Sequence, residues 1–200
     1  NAGIAAVKQI CDACEIIFGS IENSLRFGLH SSLIAVFYHS CYDEMYYNKL
    51  GGVLGLKTMI DDTGIPITWF GKFQHELVRA LFYVLRDTPD IMPALVTNTA
   101  KSLIIKIIGG CNKGATSVDE LPYELISSLV YDLASPNSLV RKTSQLAIEI
   151  LSDLSSVSKI DLISSCKTVL LHPIFAKPLR ALPFLMQIGH IEAITYWLGL

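Results

Sequence analysis

The chain has 200 residues, enough for one globular domain or for about four to five helical hairpins of ~40–47 residues each. A net charge of −2, with lysines and arginines scattered, excludes the basic stripe typical of nucleic-acid binding. Hydrophobic residues make up 51%. However, the longest stretch without Lys, Arg, Asp or Glu, from Phe27 to Tyr42, contains histidines and serines. A membrane-spanning helix needs ~20 mostly apolar residues, so we expect no membrane partner.

The five cysteines are widely spaced within apolar helical patterns, which favours buried reduced thiols over a disulfide framework. The high hydrophobic content and the start at Asn1 without Met indicate an internal slice of a longer protein. In such a protein each repeat buries its apolar faces on its neighbours. We predict one continuous repeat segment over residues 1–200, with no internal domain boundary.

Helical periodicity begins at the first residues and is interrupted by clear turn signals. The first predicted helix carries an apolar stripe and ends at Gly19-Ser20. The members of this stripe follow at steps of three and four residues: Ile4, Val7, Ile10, Cys14, Ile17 and Phe18. A second helix covers Leu33 to Cys41 and a third covers Tyr46 to Met59. The break at Asp61 to Pro66 then ends the third helix.

The rest of the chain predicts five more long helices and a short final one. The fourth runs from about Thr68 to Arg86, and Thr88-Pro89-Asp90 separates it from a fifth, which Gly109-Gly110 stops. The approximate spans of the fifth to eighth helices are 93–108, 120–134, 137–154 and 160–171, and the final helix covers 191–198 after Gly189. Sustained period-two alternation, the mark of strands, is absent.

A recurrence of 47 residues relates three of these helices. Val53, Ala100 and Ala147 stand at equivalent positions, each followed by apolar residues at helical spacing. This period predicts an all-α fold, a HEAT-type α-solenoid. In the last of the three helices Pro136-Asn137 sets the turn and caps the helix. Arg141 occupies the place where HEAT repeats commonly carry an arginine that pairs along the stack.

Two glycine- or cysteine-containing motifs have the spacing of a chemical site, but packing explains each of them better. Cys11 and Cys14 have zinc or redox spacing, yet no second ligand pair accompanies them, and both belong to one apolar helix face. The run from Gly51 to Thr58 resembles a phosphate-binding loop. Leu56, however, separates the last glycine from Lys57, and a helix precedes it instead of a strand. We expect tight helix packing at these glycines.

Polar and aromatic clusters are likewise not indicative of catalysis. We interpret Asp61-Asp62 as a solvated helix end. We interpret the aromatic residues between Phe37 and Tyr47 as a hydrophobic core between repeats. The five histidines are isolated: His30, His39, His75, His172 and His190. We therefore predict no enzyme activity, no catalytic residue, no metal site and no cofactor. The pattern does not single out partner-binding residues.

The C-terminal segment is the most specific part of the sequence. Pro173, Pro178 and Pro183 recur every five residues, and prolines this dense break or kink a helix. This segment, from Ile174 to Ile191, resembles the transformation/transcription domain-associated protein family. The blocks Phe37 to Lys57 and Leu81 to Thr88 resemble the same family. The residue choices are closer to the fungal members than to the animal ones.

The resemblance implies the HEAT-repeat region of a phosphatidylinositol 3-kinase-related pseudokinase, a nuclear protein that acts on chromatin. It further implies a non-catalytic scaffold shared by SAGA-type histone acetyltransferase complexes. The implied partners are transcription activators and sister subunits of those complexes. Activator segments are expected to bind as short amphipathic helices in grooves between repeats.

Three alternatives remain open at this point. The chain could be the solenoid of an active kinase of the same superfamily, which sequence beyond Leu200 would reveal. It could be an unrelated HEAT-repeat adaptor such as a nuclear transport receptor or a phosphatase scaffold, although the proline-spaced segment argues against this. A stand-alone α-helical enzyme is the most distant alternative, because no constellation of residues supports it.

Overall fold

The computed structural model describes residues 2–87 and 94–200, and within these ranges the chain is helical without a strand. The described residues form eleven α-helices: α1 Ala2–Phe18, α2 Ile21–Ser24, α3 Gly28–Ser40, α4 Tyr46–Asp61, α5 Gln74–Arg86, α6 Ala94–Cys111, α7 Tyr123–Asp132, α8 Ser138–Ser155, α9 Lys159–Ser165, α10 Lys167–Phe175 and α11 Phe184–Leu198. Short 3₁₀ helices at Ile67–Phe73, Val118–Glu120 and Leu179–Ala181 precede α5, α7 and α11. The all-α prediction is confirmed.

The chain divides into two compact units, the first ending at Leu103 and the second beginning at Ile104. In the first unit α3 and α4 form the principal hairpin, α1 packs on α2 and α4, and α5 packs on α3. Its core consists of fully buried apolar side chains: Ile34, Cys41, Val53, Leu56, Met59, Phe70, Leu77 and Leu81. Burial of this apolar surface is the main stabilising term of the unit.

Two glycines bring α3 and α4 unusually close together. A Cβ atom added at Gly52 would lie 2.6 Å from the carbonyl oxygen of Phe37, and one added at Gly55 would overlap the Phe37 ring. A Cβ atom added at neighbouring Gly51 would meet no other atom within 4 Å. The predicted role of this glycine run, tight helix packing, is therefore confirmed.

A buried lysine lies at the start of α4. The side chain of Lys49 is only 2% exposed and forms an ion pair with Asp87, at the end of α5. Its ammonium nitrogen also lies 5.4 Å from the centre of the Tyr83 ring. Because a buried cation is costly unless it is paired, Lys49 fixes the position of α4 relative to the end of α5.

The second unit is built around the hairpin of α7 and α8. Helix α10 packs on α7, α9 packs on both α7 and α8, and α11 packs on α8. Asn137 caps α8, as predicted: its side-chain oxygen accepts hydrogen bonds from the backbone N–H groups of Leu139 and Val140 at 2.9 and 3.4 Å. This cap satisfies two of the amides that a helix start leaves free.

Arg141 ties α8 to the preceding turn and to α11. Its Nε donates to Glu192 Oε2 at 2.6 Å. Its Nη1 donates to the carbonyl oxygens of Ser135 and Pro136 at 2.8 and 3.0 Å. The side chain is only 5% exposed. The arginine thus pairs with a later helix of the same unit, α11.

The repeat positions themselves are core positions. Val53, Ala100 and Ala147 are each 0% exposed, on α4, α6 and α8 respectively. Small or β-branched residues at these places allow neighbouring helices to approach closely. The 47-residue recurrence therefore marks equivalent buried helix faces.

Several predicted helix boundaries are wrong. The fourth helix begins as the 3₁₀ segment Ile67–Phe73, and only Gln74–Arg86 is α-helical. The sixth begins at Tyr123, because Pro122 precedes it in an extended conformation. Helix α6 continues through Gly109-Gly110 to Cys111, since a helix tolerates glycines at a modest cost. The predicted turn Thr88-Pro89-Asp90 and the predicted start of the fifth helix at Pro93 lie outside the described residues.

The predicted eighth helix is two helices, α9 and α10, which meet at Cys166. This residue is fully buried, and the Ser165 hydroxyl donates to the carbonyl oxygen of Leu162 at 2.7 Å, competing with the helical hydrogen bonds. Pro173 lies in the last turns of α10, whereas Pro178 and Pro183 immediately precede helix starts. The chain is thus interrupted at these last two prolines, as predicted.

The final helix is longer than predicted. It begins at Phe184, not near Ile191, and Gly189 is buried inside it. A Cβ atom at Gly189 would lie 2.6 Å from the carbonyl oxygens of both Ala134 and Ser135. Gly189 therefore permits a close helix contact and does not end a helix.

The first helix also differs from the predicted stripe. Ile10 and Ile17, which the stripe places in the core, are 41% and 73% exposed. Cys11, which the stripe leaves out, is buried. Cys11 and Cys14 are buried and Ile4, Val7 and Phe18 are half-buried, a second set at the same three- and four-residue steps. Periodicity alone could not distinguish the two sets, because α1 is apolar on more than one face.

One helix among the described residues, α6, is long and apolar enough to cross a membrane by length and composition alone. A third of its residues are buried within the protein. Its sequence is not uninterruptedly apolar, because it contains Lys101 and Lys106. A single helix of this kind is weak evidence for a membrane span, because the mostly buried core helix of a soluble protein passes the same test.

Adjacent glycines provide a direct test of the α3–α4 contact. Gly52→Ala should lower the free energy of unfolding by about 1–3 kcal/mol, because the new methyl group meets backbone that cannot yield. Gly51→Ala should raise it by about 0.5–1 kcal/mol, because alanine favours the helix and the site is open. Urea unfolding followed by circular dichroism measures both. Equal effects of the two substitutions would contradict the close approach.

Arg141 provides a second test. Arg141→Met should lower the free energy of unfolding by about 1–3 kcal/mol, because buried carbonyl oxygens lose their donor. Glu192→Gln should cost less than about 1 kcal/mol, because this carboxylate is half exposed. If the two variants were equally destabilised in urea, the ion pair and not the carbonyl contacts would dominate.

Candidate interaction groove

An apolar groove in the second unit separates α10 from α11. Helix α10 packs on α7 and α11 packs on α8, and a cleft of about 620 Å³ lies between α10 and α11. The residues that line this α10–α11 groove are Ile174, Phe175, Lys177, Pro178, Leu179, His190, Ile191, Ile194 and Thr195. The proline-spaced segment thus forms one wall, and the middle of α11 forms the other.

Large apolar side chains are exposed in this groove and, separately, at the start of α11. Phe175 is 76% exposed, Ile191 is 52% exposed, and Leu179 is 40% exposed. Phe184 and Leu185, at the start of α11, are 72% and 60% exposed. Exposed apolar side chains gathered in a groove, as Phe175, Leu179 and Ile191 are, usually mark a contact site.

The charge along the same segment is positive. Between Leu162 and Ile191 the sequence contains Lys167, Lys177 and Arg180 but no aspartate or glutamate. The next carboxylate, Glu192, is already paired with Arg141. Of these three cations, Lys177 is the one that lines the groove.

His190 contributes the buried polar group of the groove. It is 4% exposed, and its Nδ1 has no hydrogen-bond partner within the described part of the chain. Burial lowers the pKa of His190 below its usual value of 6.5. The imidazole is therefore neutral at neutral pH.

A second, smaller cleft of about 370 Å³ lies in the first unit among α1, α3 and α4. Gly51, Gly52 and Gly55 lie along it, and Val36 and Tyr47 are exposed at 59% and 62%. Its polar groups are neutral, so it carries no charge preference. This cleft is a consequence of the glycine face of α4.

The cysteine pair is part of the core, as predicted. Cys11 and Cys14 are both buried, and the Cys11 sulfur lies 3.8 Å from the sulfur of Met59. Burial raises the pKa of Cys11 to about 11. Across residues 2–87 and 94–200, no group of three or more His, Cys, Asp or Glu side chains is placed to hold a metal ion.

The remaining sequence candidates are mostly as predicted. Asp61 accepts a hydrogen bond from Lys57 at 2.7 Å on the last turn of α4, and both Asp61 and Asp62 are solvent-exposed. His30 is buried in the first unit, where burial lowers its pKa, while His39 and His172 are exposed.

The aromatic cluster between Phe37 and Tyr47 is only partly a core. Phe37 packs on the α4 glycines, and the ring of Tyr42 lies 5.0 Å from that of Tyr83. Tyr46 and Tyr47 are 37% and 62% exposed, so the core interpretation is wrong for these two. They are the first two residues of α4.

The α10–α11 groove is not predicted by the sequence pattern. Two sequence features coincide with the groove. They are the helix interruption at Pro178 and the absence of aspartate and glutamate from Leu162 to Ile191. Neither part predicts a cleft until the packing partners of α10 and α11 are known. The groove is therefore a tertiary feature.

Helical hairpins with buried repeat positions and a paired arginine define the class of HEAT-type helical repeats. The sequence model of one family of this class, the Tra1 HEAT repeat ring region, matches residues 1–200. The chain belongs to the Tra1 HEAT repeat ring family. The predicted fold class, a HEAT-type α-solenoid, and the predicted family are thereby confirmed.

Individual relatives agree with this assignment. The chain is 37% identical over its full length to the SAGA complex/NuA4 acetyltransferase complex subunit TRA1 of Saccharomyces cerevisiae. It is 39% identical to the Tra1 subunit of the same name from Schizosaccharomyces pombe over 98% of its length. The human transformation/transcription domain-associated protein is 27% identical over 97% of the chain. Identity is thus higher to the two yeast proteins than to the human one.

The chain spans only 5–6% of the length of these three relatives. The match covers every part of the chain, including the proline-spaced segment that forms the groove wall. This result favours the Tra1 family over an unrelated HEAT-repeat adaptor.

Protonation of His190 should reduce stability in acid. Because its folded pKa lies below 6.5, the unfolded state binds more protons, and stability falls as the pH drops below about 6.5. His190→Leu should flatten this part of the pH profile of the unfolding temperature. His172→Gln, at an exposed position of the same unit, is the matched control. An unaltered slope in His190→Leu would show that His190 is not responsible.

Proposed function

We propose that this chain is a non-catalytic scaffold segment of a nuclear transcription coactivator subunit. In this proposal the subunit belongs to SAGA-type histone acetyltransferase complexes and recruits them to transcription activators at chromatin. The observation that carries the proposal is the match of residues 1–200 to the Tra1 HEAT repeat ring region. The relatives' own names describe SAGA and NuA4 acetyltransferase complex subunits.

The physical character of the chain supports a binding role. Its helices are held by close glycine contacts and by buried charges with partners, which keep the exposed faces in fixed positions. Apolar grooves and exposed aromatic side chains on such rigid elements are typical of protein-binding surfaces. The buried thiols and the solvated Asp61-Asp62 pair have structural explanations.

The proposed partners are sister subunits of the acetyltransferase complex and transcription activators. A net charge of −2 gives little attraction for nucleic acid, so binding to DNA or RNA is not part of the proposal. The kinase-like part implied by the family would lie outside residues 1–200. An assay of kinase activity on the full-length protein separates the proposed pseudokinase from an active kinase.

The scaffold function can be tested by alanine substitutions on exposed helix faces of the full-length protein. Two clusters are suitable: Val36 with Tyr47 in the first unit, and Tyr123 with Tyr131 in the second. If either face binds a partner, recovery of acetyltransferase subunits or of an activator should fall roughly tenfold. Lys113→Ala, in an exposed loop, serves as the control. Unchanged recovery of all partners in both clusters would argue against a role for this segment.

A further inference from the structure

We propose that His30 is a proton-sensitive latch of the first unit. In its neutral form the imidazole holds residues 19–31, which contain α2 and the start of α3, against the 3₁₀ helix Ile67–Phe73. A proton on the imidazole releases this 19–31 segment, while the rest of α3, α4 and α5 stay folded. The latch goes beyond the proposed scaffold function and does not depend on it.

The 19–31 segment has few buried anchors. Between Cys14 and Ile34, a stretch that the structure describes completely, Ser24 and His30 are the two buried residues. The Ser24 hydroxyl bonds within α2, because it donates to the carbonyl oxygen of Ile21 at 2.8 Å. The burial of this segment therefore depends largely on one imidazole.

The apolar side chains of the segment do not replace this anchor. Ile21 and Leu25 are only half-buried, and Phe27 and Leu29 are 51% and 44% exposed. The Phe27 ring stacks at 3.9 Å on that of Phe18, at the end of α1. Helix α3 also begins without a side-chain cap. Local opening is easiest where buried apolar contacts are few and helix-start amides are uncapped.

His30 connects the segment to the core through an aromatic contact. Its side chain is 1% exposed, and its ring meets that of Trp69 edge-on, with the ring centres 6.4 Å apart. Trp69 in turn lies edge-on against the fully buried Phe70. Neither ring nitrogen of His30 has a hydrogen-bond partner within residues 2–87 and 94–200. The neutral imidazole therefore packs here as an aromatic side chain.

A positive charge on His30 is poorly compensated in this position. The ammonium nitrogen of Lys72 lies 4.3 Å from the centre of the Trp69 ring, so this ring already contacts one cation. The neighbouring elements also carry groups that are charged or titrate near neutral pH: Glu22, Arg26, Lys49, Lys57, Asp61, His75, Glu76, Arg79 and Arg86. Burial lowers the pKa of His30 below 6.5, and the opposing contribution comes from the Ser24 backbone and not from these groups.

Acid therefore favours the open segment. In the open state water surrounds His30, so its pKa lies near the ordinary value of about 6.5, above the value in the closed state. The open state then binds more protons, and its population rises up to about tenfold for each pH unit below about 6.5. Above this range the imidazole is neutral in both states, and the segment stays closed.

The first experiment is hydrogen–deuterium exchange of the full-length protein, measured on its peptides by mass spectrometry. Protection factors corrected for the intrinsic exchange rate should fall roughly five- to tenfold in the 19–31 segment between pH 7.5 and pH 5.5. Peptides from α5 should keep their protection. His30→Phe keeps an aromatic ring at Trp69 and His30→Gln keeps a polar group, and both should abolish the fall. His39→Gln, at an exposed position of the same helix, is the matched control and should retain it.

The second experiment leaves His30 in place and measures opening by thiol labelling. Ser24→Cys places a thiol at a buried position of the segment, and Asn23→Cys places one at the exposed neighbouring position. The ratio of their maleimide labelling rates removes the pH dependence of the thiolate itself. This ratio, Ser24→Cys over Asn23→Cys, should rise roughly five- to tenfold between pH 7.5 and pH 5.5.

Three results would overturn the latch. Equal protection of the 19–31 segment at both pH values, with a constant labelling ratio, would show that protonation does not open it. A parallel loss of protection in α5 would show that the whole unit unfolds and not this segment alone. A fall that persists in both His30 variants would assign the pH dependence to another group.

Discussion

The close approach of helices at glycine is the constraint on which this structure depends. Between α3 and α4, and between α11 and the turn after α7, the backbones lie nearer than any side chain at the contact would permit. Gly52 and Gly189 therefore determine where whole helices lie, although each contributes almost no apolar surface of its own. The arrangement of the larger core side chains follows from these contacts, because close-packed interiors leave little freedom once the backbones are placed.

Buried cations complement this constraint at the helix ends. Lys49 pairs with Asp87 in the first unit, and Arg141 pairs with Glu192 and two carbonyl oxygens in the second. In both pairs the cation is buried and its carboxylate is half exposed. Such pairs contribute little net stability, but an unpaired partner would be costly, so they favour one register of the helices over others. Glycine contacts set the distance between helices, and the ion pairs set their alignment.

The class of fold followed from periodicity, since a 47-residue recurrence of buried positions requires equivalent helices. Boundaries were less predictable where two physical effects compete. Gly109-Gly110 and Gly189 act as helix breakers in isolation, but packing keeps them helical, and the helix break at Cys166 carries no glycine or proline signal. The predicted core roles of Cys11, Cys14 and the α4 glycines were correct. The groove was not foreseen, because its walls are defined by which helices α10 and α11 pack against.

The buried thiols have a practical consequence for work on this chain. Burial raises the pKa of Cys11 and Cys111 to about 11 and that of Cys41 to about 12. At neutral pH only about one in ten thousand of the Cys11 thiols is ionised, and the thiolate is the reactive form. A cysteine introduced at an exposed position therefore reacts with maleimide far faster than these three do. Fluorophores or spin labels can then be attached at chosen surface positions with little background from them.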